Sequence, residues 1–166
     1  TLEGQRRLDN FVLPESDDFA RIPQDPRNPL TSEKIRLGQL LFHDPTLSQS
    51  PLYESSRGTY SCATCHHAKA GFQAGRQQSI GDGGSGWGER GEARRPDPRY
   101  PLLDVDTPPL RSPSVLNTAY QRVMQWSGGA GANGPNDETT GFWSDRGVTR
   151  VNHLGYAGLE TQAILA

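Results

Sequence analysis

Apolar residues along the chain form short, widely spaced clusters, and long polar stretches separate them. The clearest cluster places Leu37, Leu40 and Leu41 on one face of a 3.6-residue repeat, just after a threonine-serine pair that can cap a helix. This pattern predicts an amphipathic helix from Thr31 to about Phe42, which a histidine-aspartate-proline sequence then ends.

Turn-forming residues dominate three other segments. Residues 1–30 carry repeated prolines, which deny them a long helix and predict an extended arm. Residues 44–60 are expected to be loop. Residues 71–109 are rich in glycine and proline and are expected to make a long surface excursion.

A second helix is predicted to begin at Ser112, because a capping residue there precedes a proline at the favoured first helical position. Leu116, Tyr120 and Val123 would form its buried stripe. The final residues, 158–166, are again strong helix formers.

Composition supports one small domain of irregular build. The 166 residues are 33% hydrophobic and include 19 glycines and 13 prolines, which favours a mostly α fold of short helices and long loops. We predict an arm at 1–30 and one domain at 31–166. The net charge of −2 gives no case for nucleic-acid binding, and no apolar run approaches the ~20 residues that span a membrane.

The candidate chemistry is concentrated in one short segment. Cys62 and Cys65, the only cysteines, are followed at once by His66. On one helical turn the two thiols share a face and can bond to the two vinyl groups of a porphyrin, while the next residue presents an imidazole to the iron. The motif therefore predicts one covalent haem c, attached by both cysteines, with His66 as the proximal iron ligand. A short helix should carry it.

Two other interpretations of the cysteine pair are open. A zinc site could use both thiols and a histidine, but a second ligand pair at finger-like spacing is missing. A thioredoxin-like redox pair would need a βαβ context, and no alternating strands are predicted nearby. The neighbouring His67 is expected to lie at the surface or behind the iron ligand.

Residues 37–48, 61–66, 111–120, 125–128 and 159–163 form an ordered set of motifs. This ordered set resembles the N-terminal, peroxidatic half of the bacterial di-haem cytochrome c peroxidase family, which includes the MauG-type enzymes. In that family one haem meets hydrogen peroxide, and a second haem domain takes electrons from a small donor protein. The resemblance implies a cytochrome c-like fold, a peroxidase or a MauG-like oxidase of a protein substrate, and a periplasmic location after loss of a signal peptide.

The resemblance also assigns roles to individual residues. Gln162 matches the distal-pocket glutamine, and Trp126 matches the tryptophan between the two haems, with Trp143 as a rival match. The family's catalytic glutamate lies about ten positions beyond the glutamine, whereas only four residues follow Gln162 here (166 − 162 = 4). Asp82 stands where many members hold a distal histidine, which predicts an iron open to peroxide without reductive activation. Arg111 replaces an asparagine ligand of the family's calcium site, which disfavours calcium there.

A protein of a different class is also open, namely a mono-haem electron carrier. Met124, the only methionine, lies 58 residues after His66 (124 − 66 = 58) and could be the sixth iron ligand, or a packed core residue. Because the chain has a single haem motif, the second haem domain is expected on a missing C-terminal half or on another chain, or to be absent. A haem-bearing subunit without turnover is a third interpretation.

Overall fold

The computed structural model describes residues 12–24, 28–121 and 162–163. The chain divides into two compact units: Thr1–Thr31 together with Thr118–Ala166, and Ser32–Asn117. The cysteine motif lies in the second unit. The division into an arm at 1–30 and a domain at 31–166 stays a prediction.

Short helices and long loops dominate the described residues, as the composition predicts. Helix α1 is Ser32–His43, helix α2 is the single turn Cys62–Cys65, and strands β1 (Gly84–Ser85) and β2 (Arg95–Pro96) form an antiparallel pair with Gly84 opposite Pro96. None of the helices in the described residues is long and apolar enough to cross a membrane. Short 3₁₀ turns occur at Phe19–Arg21, Pro45–Leu47, Glu54–Ser56, Ala68–Ala70, Leu102–Asp104 and Thr118–Tyr120.

Helix α1 confirms the amphipathic helix predicted near residues 31–42. Its apolar stripe is not covered, because no residue of the helix is buried and Leu40 is 62% exposed. The last turn does make an aromatic contact: the ring of Phe42 meets the ring of Phe72 edge-on, with centroids 5.9 Å apart. Helix α1 therefore touches the loop that follows the cysteine motif through its C-terminal end.

The segment 71–109 is not the surface excursion that its composition predicts. Most buried residues of the Ser32–Asn117 unit lie within it, and among the described residues only Ala74, Ile80 and Tyr100 are buried apolar side chains. The other buried groups are polar, including Ser79 and Asp97. Glycine and proline here build tight turns around hydrogen bonds, so the interior of this unit is mainly polar.

Arg94 organises this polar interior. Its side chain is 2% exposed. The guanidinium donates to the carbonyl oxygens of Ile80 (2.6 Å), Gly81 (2.7 Å), Thr59 (3.0 Å) and Gly86 (3.1 Å). These four bonds join the loop around β1 to the residues that lead into α2.

The prediction of a helix that begins at Ser112 is wrong, since the described residues 112–117 are not helical. Backbone groups of residues 112–115 bond across to the loop after the motif: Ala74 N–H donates to Ser112 O at 3.1 Å, and Val115 N–H donates to Phe72 O at 3.2 Å. Groups engaged in this way cannot make helical bonds along their own chain. The side chain of Leu116 is accordingly 54% exposed; Val123 lies outside the described residues.

Gly83 generates a stability test, because it has a positive φ of 79° and a Cβ there would lie 2.6 Å from the Tyr100 ring. Gly58 also has a positive φ, of 70°, but open space where a Cβ would go. Gly83→Ala and Gly58→Ala should introduce similar backbone strain, because both place a side chain on a residue with positive φ. We expect Gly83→Ala to cost ~1–3 kcal/mol more free energy of unfolding, since it adds overpacking.

Urea denaturation of both variants measures this difference. Equal losses of stability would contradict the close packing of Gly83 against Tyr100.

Candidate haem-binding site

Helix α2 begins after Ser61, which has extended backbone dihedrals and whose N–H donates to Thr64 Oγ1 at 2.9 Å. Thr64 is buried, so this bond fixes the single helical turn from inside. The helix ends at Cys65, because His66 leaves the helical conformation with φ −121° and ψ 88°. The cysteines thus share one turn, and the histidine starts the next segment of chain.

The His66 imidazole is held through one ring nitrogen. Its Nδ1 lies 3.0 Å from Phe72 O and 3.0 Å from Pro113 O. Both partners are carbonyl oxygens and can only accept, so Nδ1 carries the proton and Nε2 is left with its lone pair. An imidazole held in this way is set up to bind a metal through Nε2, with its ring orientation and basicity fixed by the carbonyls.

A left-handed turn brings one of these carbonyls into place. Gly71 (φ 68°) and Phe72 (φ 55°) both have positive φ, which is uncommon for phenylalanine. The ring of Phe42 supports this turn from α1, 5.9 Å from the Phe72 ring and 6.4 Å from the His66 ring. Nothing in the sequence marks Phe72 or Pro113 as partners of the histidine, because both act through backbone oxygens.

The two thiols are unpaired and differ in exposure. Cys62 is exposed and Cys65 half-buried, and neither forms a disulfide. Burial raises the pKa of both thiols. Within residues 12–24, 28–121 and 162–163, no group of three or more His, Cys, Asp or Glu side chains is placed to hold a metal ion, so this part of the chain offers no further ligands to the zinc alternative.

A haem fits the groups present. Two thiols on one turn and an adjacent imidazole with a free Nε2 supply the attachment and the axial ligand that haem c needs. The exposed apolar side chains of α1, Leu37 and Leu40 among them, offer contact area for a large apolar macrocycle.

His67 is not a surface residue, since only 8% of it is exposed. Its N–H donates to Gln73 O at 3.1 Å, and its ring packs so closely on Gly91 that a Cβ there would lie 2.5 Å from Nε2. Burial lowers the pKa of His67, which favours the neutral imidazole. His67 is therefore a buried residue next to the candidate ligand in sequence, and its N–H helps to fix the following loop.

An open cleft of about 390 Å³ borders His66. Its lining includes His43, Ala63, His67 and Trp87, but neither thiol. Trp87 is 50% exposed, with the Arg94 guanidinium carbon 5.7 Å from its ring centroid. Sequence reasoning missed Trp87 and Arg94, because both lie in the loop that was expected to be surface.

Asp82 is engaged in holding loops together. Its Oδ2 accepts the N–H of Leu52 at 2.7 Å, while Oδ1 and the Tyr100 hydroxyl are buried without hydrogen-bond partners among the described residues. Burial alone would raise the pKa of Asp82, but nearby donors, Ser56 and Leu52 first, outweigh it and the pKa is lowered. Burial, followed by the Asp82 carboxylate, raises the pKa of Tyr100 to about 12. Asp82 is therefore a half-buried carboxylate that joins this loop to the backbone at Leu52.

The remaining predicted residues fall in different parts of the chain. Arg111 donates from Nε (2.9 Å) and a terminal nitrogen (2.6 Å) to Ala74 O, so its guanidinium braces the loop. Gln162 has helical backbone and is half-buried. Trp126, its rival Trp143 and Met124 lie outside the described residues. The roles assigned to all of them stay predictions.

The sequence profile of the di-haem cytochrome c peroxidase family matches residues 32–165. The chain therefore belongs to this family, which confirms the resemblance found in the sequence. Membership implies haem c as the cofactor.

Three characterised relatives agree. The chain is 37% identical over 120 residues to methylamine utilization protein MauG of Methylorubrum extorquens, covering 72% of this chain and 25% of that protein. It is 30% identical over 121 residues to cytochrome c peroxidase Ccp of Escherichia coli (73% and 20%) and 32% identical over 121 residues to MauG of Methylophilus methylotrophus (71% and 28%). The matched region is thus about a quarter of each relative. No solved structure gave a significant match.

The environments of the two thiols predict the order in which they react with an alkylating agent when the chain carries no haem. Because burial raises both pKa values, both thiols are protonated at neutral pH, and alkylation should accelerate as pH rises. We expect iodoacetamide to modify the exposed Cys62 faster than the half-buried Cys65.

Peptide mass spectrometry of a time course reads out both sites. In urea the two rates should converge, which serves as the control; a faster Cys65 in the folded chain would contradict the geometry.

Proposed function

We propose that this chain is the peroxide-reacting haem domain of a di-haem redox enzyme. Cys62 and Cys65 would hold one haem c through thioether bonds, with His66 as the proximal ligand. The observation that carries the proposal is the fixed His66 imidazole, whose Nδ1–H is shared by two carbonyls at 3.0 Å. When bound, haem c supplies a redox-active iron at which hydrogen peroxide can be reduced to water.

The proximal side of this site depends on His66. Donation from Nδ1 to the carbonyls of Phe72 and Pro113 places partial negative charge on the ring, which makes Nε2 a stronger electron donor to a metal. The same bonds prevent rotation of the ring. His66 would thus hold the haem iron through an imidazole whose orientation and basicity are fixed by the two carbonyls.

The distal side would depend on Gln162. Its amide can donate to a peroxide oxygen or orient a water, a preorganised polar contact that favours cleavage of the O–O bond. Asp82 in place of the distal histidine supports an iron open to peroxide in its resting state.

Electrons would arrive from a second haem domain, on the same polypeptide or on another chain. Trp126 would stand between the two haems as a relay. The final donor would be a small electron-donor protein, or, in MauG-like chemistry, a protein substrate that is itself oxidised. Because c-type haem is attached after export in bacteria, we place the protein in the periplasm, with its signal peptide removed.

The haem and its open face can be tested together. We expect the intact mass to show one haem per chain, and the ferric spectrum to be high spin and to change promptly on addition of peroxide. Met124→Ala should leave that spectrum unchanged, because the proposal gives the methionine no role at the iron.

Absence of haem from the intact mass would end the proposal. A resting low-spin spectrum that ignores peroxide, and turns high spin in Met124→Ala, would instead establish the electron carrier.

The distal role of Gln162 predicts a rate effect. Gln162→Ala should slow the reaction with peroxide on the order of 10²-fold, which is typical for loss of one preorganised donor. Stopped-flow absorbance measures the rate. Glu160→Gln is the matched control, since on the helix that the sequence predicts for residues 158–166 two residues two apart would project about 200° from each other. Equal rates for Gln162→Ala and the unchanged protein would exclude the role.

A further inference from the structure

Arg94 is a buried charge held by neutral groups. All four of its hydrogen-bond partners are backbone carbonyls, and among the described residues no carboxylate forms an ion pair with it. Burying an ionised group costs several kcal/mol unless it is well compensated, and carbonyl dipoles compensate only in part. The guanidinium stays protonated even though burial lowers its pKa.

The other arginines with strong partners behave differently. Arg57 pairs with Glu54 and Arg99 pairs with Asp97 at 2.8 Å, and the two arginine side chains are 43% and 73% exposed. The donors of Arg94 join the loops, and no carboxylate among the described residues forms an ion pair that would neutralise the positive charge they bring into the interior. A cation retained in this position suggests that its charge has a use.

The charge lies beside the segment that would hold the cofactor. Thr59, which accepts from Arg94, is three residues before Cys62. Ile80, which also accepts from it, follows Ser79, whose hydroxyl donates to Cys65 O at 3.4 Å.

We infer that Arg94 is a tuning residue: a fixed positive charge, buried next to the cysteine turn, that raises the reduction potential of the haem. The inference rests on the proposed function, which supplies the haem. Reduction of ferric iron adds one electron to the site, and a nearby cation in a medium of low dielectric constant favours the state that holds it. The rigid carbonyl cradle keeps the cation from moving away or being screened by water.

Three variants separate charge from structure. Arg94→Gln removes the charge and the fork of donors, Arg94→Lys removes the fork but keeps the charge, and Arg95→Gln removes an exposed charge from the neighbouring position. We expect Arg94→Gln to lower the midpoint potential, with a change of about tenfold in the ferrous-to-ferric ratio, or ~59 mV for one electron. Arg94→Lys and Arg95→Gln should stay close to the unchanged protein.

Spectroelectrochemical titration of the haem-loaded protein measures these potentials without reference to turnover. An unchanged potential in Arg94→Gln, or equal decreases in Arg94→Gln and Arg94→Lys, would overturn the inference and leave the proposed function standing. Protein that carries no haem would instead refute the proposed function.

A measurement on the unchanged protein covers the case in which Arg94→Gln does not mature. In ¹⁵N-labelled protein the buried Nε–H of Arg94 should give a slowly exchanging NMR signal. Its chemical shift should differ between the ferric and ferrous forms, because a paramagnetic iron displaces the signals of nearby nuclei. Identical shifts in the two forms would place Arg94 too far from the iron and overturn the inference.

Discussion

The hydrogen bonds from the buried Arg94 guanidinium stabilise the loops in the way that apolar packing does in most domains. Only three apolar side chains are buried among the described residues, too few to hold long glycine-rich loops in one arrangement. Hydrogen bonds to a charged donor contribute ~1.5–3 kcal/mol each, more than neutral ones, and four of them converge on one side chain. The loop around β1 and the approach to α2 therefore keep their arrangement through one cation.

The position of helix α2, which carries the cysteines, depends on the loops that Arg94 holds together. Helix α2 is four residues long and cannot be stable alone, because a helix of that length does not recover its nucleation cost. It is fixed by buried Thr64, by Thr59 in the Arg94 cradle, and by contacts from Ser79. A reactive turn that is held from several sides by loops can stay exposed on its outer face, where Cys62 lies.

The sequence was sufficient where local chemistry decides the outcome. Helix α1 follows from its repeat of leucines, and the family follows from the cysteine-histidine motif together with the order of the surrounding segments. It was insufficient where distant segments decide. Residues 112–115 contain a valid helix start, yet their backbone groups are taken by residues 72 and 74, a pairing with no local signal.

The same reason explains the error over residues 71–109. Glycine and proline predict turns correctly, but they do not say whether the turns lie at the surface or around a buried group. Here the turns surround Arg94 and a neutral His67. An arginine in a proline-rich stretch has the same local appearance whether it is solvated or buried, so only the tertiary arrangement distinguishes the two.

The carbonyls that hold His66 belong to the main chain at Phe72 and Pro113. Every amino acid has this oxygen, proline included, so the ligand's support does not depend on which side chains occupy those two positions. The identity of the residues there is free to drift during evolution provided that the backbone keeps its path. Relatives could therefore share this mode of support while differing at both positions, and it would be recognised by comparing backbone traces rather than aligned letters.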